Sequence, residues 1–152
     1  QLGAIYERQK EWEEVESIFK SILEIHPQHS GVLNYLGYML ADRGIRLVEA
    51  LDYIMKAVEI EPHNGAYLDS LGWVYFRLER YDQAEFNLLK ASQLVDSDST
   101  IFDHLGDLYS VLGQYEKAQE YYELSLRFAE KDELEEVQKK LSEVEQRLAR
   151  QP

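Results

Sequence analysis

Three Leu-Gly pairs, Leu36-Gly37, Leu71-Gly72 and Leu105-Gly106, recur at intervals of 35 and 34 residues. This regularity constrains the chain more than any other feature it has. A fixed period in that range belongs to arrays in which each supersecondary unit stacks on its neighbours because it cannot bury its apolar face alone. The units align position by position. One reads Leu33, Leu36, Gly37, Leu40, Ala50, Ile54, Ala57 and Pro62; the next reads Leu68, Leu71, Gly72, Tyr75, Ala84, Leu88 and Ala91; the next reads Phe102, Leu105, Gly106, Tyr109, Ala118, Tyr122 and Ser125. One extra residue separates Gly37 from Ala50. A partial unit (Leu2, Gly3, Tyr6, Val15, Phe19, Ile22 and Pro27) comes first and begins inside its own first helix, so the chain reads as part of a longer solenoid.

Within each unit the apolar residues return at steps of three and four, the helical period. This predicts helices near 2–10, 13–25, 31–42, 48–60, 65–78, 82–94, 100–112, 116–128 and 132–149. Pro27 and Pro62 follow helices and open turns, and Ser99 is expected to cap the helix after it. A mid-helix glycine costs about 1 kcal/mol, so Gly3, Gly37, Gly72 and Gly106 are expected where a neighbouring helix comes too close for a side chain. Ala84 and Ala118 meet the same demand from the second helices.

The pattern resembles the tetratricopeptide repeat family over roughly residues 2–130. The resemblance implies an all-α fold, a right-handed α-α superhelix of helix-turn-helix units, with polypeptides bound in a concave groove lined by the first helix of each unit. The domain reading is an array over 1–130, with a partial first repeat at 1–29 and repeats at about 30–64, 65–98 and 99–130, followed by a capping helix at 131–152. The chain departs from the family in three ways: Val15 stands where alanine is usual, Asp96 and Glu130 replace the closing proline, and the second unit carries its insert in the turn.

Family register places Asn34, Tyr38, Asp69, Trp73, Phe76, Arg77, Asp103, His104 and Asp107 on the groove side. Tyr38, Trp73 and Phe76 would be rigid apolar anchors, Asn34, Asp69 and Arg77 polar contacts, and Asp69, Asp103 and Asp107 an acidic wall. For the two large rings at Trp73 and Phe76, packing against neighbouring units is the competing expectation. Some family members grip a terminal carboxylate with lysines and asparagines. Here the matching positions hold Asn34 but three aspartates, which favours a basic or apolar partner.

Charge agrees: 16 Lys and Arg stand against 29 Asp and Glu, a formal net charge of −13. Such a surface repels phosphate backbones, so nucleic acid is not an expected partner. No apolar run reaches the ~20 residues that cross a bilayer. Cysteine is absent, which removes disulfide and thiolate-metal readings while leaving the compartment open.

Catalysis finds no footing in the sequence. The four histidines at 26, 29, 63 and 104 form no close ligand set, since His26 and His29 flank Pro27 at a helix end, and neither a phosphate loop nor a nucleophile elbow is present. No metal or cofactor is expected. The functional expectation is therefore a noncatalytic scaffold or adaptor for a protein or peptide. The alternatives are a structural self-assembly module and the targeting domain of a larger enzyme.

Two further segments stand out. The turn with Arg43 and Arg46 carries two cations in an acidic chain; it reads either as a partner contact or as a loop whose arginines pair with nearby acids while Gly44 closes the helix. The last stretch carries Leu134, Val137, Leu141, Val144 and Leu148 at steps of three and four, with Glu135–Lys139 and Glu136–Lys140 spaced for ion pairs. That stripe reads as a cap over the solenoid end, or as a seam for homo-oligomer formation.

A narrower resemblance rests on Leu33–Gly44 and Gly65–Tyr75, which are similar to bacterial envelope repeat lipoproteins that act as adaptors for a C-terminal processing protease. It implies a protease or its substrates as partners and a periplasmic or outer-membrane-anchored location. The cytoplasm is the alternative.

Overall fold

The computed structural model describes residues 2–152, which form eight α-helices: α1 (Leu2–Ile25), α2 (Ser30–Arg43), α3 (Leu47–Ile60), α4 (Gly65–Arg77), α5 (Tyr81–Leu94), α6 (Ser99–Val111), α7 (Tyr115–Phe128) and α8 (Leu134–Ala149). Helices α2 and α3, α4 and α5, and α6 and α7 pair as antiparallel hairpins. Successive hairpins stack, with α1 on α2 and α8 on α7. The result is an all-α, right-handed solenoid.

The repeated glycines set the spacing inside each hairpin. A Cβ on Gly72 would lie 2.6 Å from Leu88 Cγ, one on Gly37 would lie 2.8 Å from the Ala50 carbonyl oxygen, and one on Gly106 would run into the Tyr122 ring. Close approach lets the apolar partners from the two helices interlock. Leu36, Leu40, Ile54, Leu88 and Leu105 are completely buried as a result, each contributing about 1.5–3 kcal/mol.

Each hairpin turn uses one left-handed residue and a six-to-one backbone bond, the Schellman closure. Gly44 (φ 69°) and Gly113 (φ 75°) supply that conformation in two units, and Glu79 (φ 61°) supplies it in the unit between. The closing bonds are Ile45 N–H to Leu40 O, Arg80 N–H to Tyr75 O and Gln114 N–H to Tyr109 O. The extra residue of the second unit is absorbed by Arg46, also left-handed at φ 46°.

Between hairpins, short polar side chains start the next helix. His29 accepts from Val32 N–H, Asn64 from Tyr67 N–H, and Asp98 from Thr100 and Ile101 N–H. The cap of α6 is thus Asp98, not Ser99. Ser99 lies inside the helix, and its hydroxyl pairs with buried Ser125 at 3.1 Å.

The N-terminal segment departs from the sequence expectation. Two helices, 2–10 and 13–25, were expected around a turn, but α1 runs unbroken. The joining stretch, Arg8–Glu14, has no glycine, proline or other turn former, and its Gln, Lys and Glu residues favour helix. Gly3 therefore has no helix to approach: a Cβ there would meet nothing within 4 Å. The anchor of α1 is Trp12, which is buried and overlain by the Arg43 guanidinium at 5.3 Å.

At the other end, α8 turns its apolar stripe inward. Val137 and Val144 are buried, and Leu141 and Leu148 pack against the core cluster, while Leu134 is half-buried. The residues proposed as a self-association seam thus lie against α7 and leave no continuous exposed stripe.

Candidate functional site

The concave side of the solenoid holds a groove of about 460 Å³, bounded by α2, α4, α6 and the start of α8. Of the nine residues expected there, Tyr38, Trp73, Arg77, Asp103, His104 and Asp107 border it, and Asn34, Asp69 and Phe76 do not. Helical geometry explains the grouping. Tyr38, Trp73 and Asp107 each follow the Leu-Gly pair of their unit by one residue, so stacking brings them onto one line.

Beneath this line lies a buried polar pair. Asp69 and His104 are 6% and 4% exposed, and the His104 Nδ1–H donates to Asp69 Oδ1 at 2.8 Å. Asp69 therefore belongs to the floor that joins α4 to α6 and is not part of an acidic wall. Burial disfavours the His104 imidazolium, but the charge and hydrogen bond of Asp69, with help from Asp103 and Asp107, outweigh it, so the His104 pKa is raised.

Trp73 rests on this pair. Its ring stacks with His104 at 4.0 Å and with Phe76 at 5.0 Å between centroids, and Phe76 continues to Tyr81 at 5.9 Å. Trp73 is only 7% exposed. Phe76 is thus a packing residue in the main, and Trp73 is part floor and part lining. The Arg77 guanidinium lies 6.0 Å from the Trp73 ring centre. Tyr38 is half-buried beside His104. Burial, followed by the charges of Asp42, Asp69 and Asp103, pushes its phenol pKa up, so it stays a hydroxyl donor.

The far wall comes from a helix that reads in the sequence only as a cap or a seam. Lys140 of α8 reaches across to α6, its ammonium 3.0 Å from Asp103 Oδ1 and 3.1 Å from Asp107 Oδ1. The expected Glu136–Lys140 pair gives way to this contact, because two carboxylates one helical turn apart outcompete a single exposed one. Tyr122 donates to Asp107 from below at 2.6 Å. Burial first, then Asp107, hold Asp103 above the usual carboxylate range, with Lys140 opposing them. The Lys140 pKa is itself raised, since the two acids outweigh its desolvation.

Asp42, Asp132, Glu133 and Glu136 also border the groove and were not expected there from the sequence. A signal existed: continuing the 34-residue register past Asp103 and Asp107 arrives at Val137 and Leu141, with Glu136 and Lys140 alongside. The first turn of α8 thus occupies the place of a further first helix.

The Arg43–Arg46 turn is engaged within the chain. Arg43 bonds Gln9 and covers Trp12, while Arg46 pairs with Glu16 at 2.6 Å and Glu49 at 3.0 Å. Both arginines tie α1 to the first hairpin. Among the described residues, no three His, Cys, Asp or Glu side chains come together to hold a metal ion, and no helix is long and apolar enough to cross a membrane.

Repeat, stacking and groove resemble those of tetratricopeptide-repeat proteins, and residues 66–94 and 100–132 match the tetratricopeptide repeat family. The two matches together cover less than half of the chain, and by repeat and fold the chain is similar to that family. Among known proteins, it is 35% identical over 101 residues to the TPR repeat-containing protein PA4667 of Pseudomonas aeruginosa, an alignment covering 66% of this chain and 17% of that protein. The chain thus spans about a sixth of that relative's length. Its fold is similar to that of TTC0263, a thermophilic TPR protein of Thermus thermophilus, with a TM-score of 0.80 and 21% identity over 98% of this chain and 80% of that one. The first TPR of Spaghetti (RPAP3), solved bound to the HSP90 peptide SRMEEVD, is similar at a TM-score of 0.70 and 26% identity, covering 80% of this chain and 94% of that one.

Proposed function

We propose that this chain is a protein-interaction scaffold that holds a polypeptide segment in the groove between α2, α4, α6 and α8. The observation that carries the reading is the groove itself. Three successive first helices place Tyr38, Trp73 and Asp107 on one line, with Arg77 at its edge, over a floor fixed by the Asp69–His104 pair. A preorganised floor lowers the ordering cost of binding, and tyrosine and arginine at a groove rim are the residue types that most often dominate interface energetics.

The RPAP3 repeat bound to an HSP90 peptide supports a polypeptide ligand in such a fold. The narrower resemblance of Leu33–Gly44 and Gly65–Tyr75 to envelope adaptors would make the partner a processing protease or its substrates.

Selection from a randomised displayed peptide library tests the reading. The wild-type chain and a Tyr38→Ala, Arg77→Ala double variant, matched for helicity, are challenged in parallel. Peptides enriched on the wild type should lose about tenfold or more in affinity on the variant, the cost expected of two rim anchors. No enrichment, or equal retention by both, refutes a groove site.

A further inference from the structure

We infer that the groove is selective for basic segments: its partner is a polypeptide stretch carrying lysine or arginine, whose cations sit among Asp42, Asp132 and Glu136 and whose side-chain stems pack beside Trp73. This rests on the groove being a polypeptide site and adds the chemical class of the occupant.

Two independent observations point to it. The first is the charge balance of the walls. Six carboxylates and two cations border the groove, a formal excess of four negative charges, concentrated between low-dielectric walls that focus the field. The chain itself shows that this site accepts an ammonium. Lys140, reaching in from α8, is held by Asp103 and Asp107 at 3.0 and 3.1 Å. Lys140 answers only Asp103 and Asp107, and Asp42, Asp132, Glu133 and Glu136 also border the groove. A second cation offsets their charge, whereas an acidic segment would add to it. The contrast with the RPAP3 repeat is instructive, because the HSP90 peptide it carries, SRMEEVD, contains three acids. The acidic wall of this groove disfavours such a ligand and favours its inverse.

The second observation does not depend on the carboxylates. Trp73 borders the groove with the Arg77 guanidinium 6.0 Å from its ring centre, so the ring already sits beside a cation. The methylene stem of a lysine or arginine packs on such a ring while its charge reaches the acids. The acids therefore select the charge, and the tryptophan favours the long stem that carries it.

Fluorescence anisotropy with three labelled, N-acetylated hexapeptides tests the inference. The first alternates leucine with lysine, the second leucine with glutamate, the third leucine with serine. The lysine peptide should bind at least tenfold more tightly than the other two at low salt. It should weaken about tenfold on Asp42→Asn, Asp132→Asn, Glu136→Gln, three exposed positions with no role in the core. A control that removes equal charge outside the groove, Glu59→Gln, Glu120→Gln, Glu123→Gln, should change binding by no more than about twofold.

The indole N–H signal of Trp73, one of two tryptophans, should shift as the lysine peptide is added and packs beside its ring. An unmoved signal, equal weakening by the control triple, or no binding of the lysine peptide overturns the inference. Equal binding of all three peptides, lost together in the Tyr38→Ala, Arg77→Ala variant, overturns basic selectivity alone and leaves the groove as a peptide site. Binding of every peptide that survives the double variant refutes both.

Discussion

Replacing Gly72 by alanine is the sharpest test of how the solenoid is held together, because two opposing effects act on one methyl group. In an isolated helix the change is favourable by about 1 kcal/mol. In this fold the new Cβ would lie 2.6 Å from Leu88 Cγ, 2.8 Å from its Cδ2 and 3.1 Å from its main-chain nitrogen, where ordinary contact begins at 3.4 Å. Leu88 is fully buried, as are Ala84 and Ala91 on the same helix, so a new rotamer has nowhere to go and α5 must move away from α4. Overpacking of this kind costs about 1–3 kcal/mol. The backbone contact places it in the upper part of that range, for a net loss of about 1–2 kcal/mol after the helix-propensity gain. For a chain of this size that is a fall in melting temperature of about 2–8 °C. Thermal and urea unfolding followed by far-UV circular dichroism measure it. Gly3→Ala is the control: with nothing within 4 Å, it should leave the midpoint unchanged or slightly raised. A Gly72→Ala protein that melts at or above the wild type would refute the close-approach argument for the whole repeat.

The buried Asp69–His104 pair should make stability fall as pH rises. The His104 pKa is raised in the fold, so its contribution is complete below the ordinary histidine range and is lost as pH climbs through the raised value; His104→Gln should flatten that slope in urea titrations, and an unchanged slope would count against the pair. Lys140→Met should destabilise by about 1–3 kcal/mol, less than a fully buried pair because Lys140, Asp103 and Asp107 keep side-chain exposures of 25%, 24% and 18%. That loss should shrink in acid as Asp103, already raised, takes a proton; a loss independent of pH would mean that Lys140 acts through packing alone.

The repeat, the hairpins and the role of the glycines at 37, 72 and 106 were legible because all three rest on short-range rules. Helical period shows which face is apolar, and glycine inside a helix marks close approach. The same rules failed at α1. Gly3 repeats the sequence motif, but without a turn former between Arg8 and Glu14 the chain has no reason to fold back, and the glycine faces open space. The groove was half legible. Register along the first helices found the line of Tyr38, Trp73 and Asp107, since equivalent positions in stacked units must align. Register alone could not separate Asp69, paired beneath the floor, from Asp103, at the wall, because they are equivalent positions one unit apart. What differs is the residue that the next unit presents: His104 over Asp69, and Lys140 over Asp103.

The amino-acid sequence by itself determined a helical array, its period, its acidic character and the side of each hairpin that stacks, all of which follow from residues within one turn or one repeat of each other, while its right-handed superhelix was implied only by the family resemblance. Only the tertiary structure decided which ionisable groups meet. Asp69 with His104, and Lys140 with Asp103 and Asp107, are joined across 35, 37 and 33 residues. Such pairings depend on how far one unit is rotated on the next and on how α8 settles against α7. Those angles come from the sum of many side-chain contacts, and no local pattern encodes them.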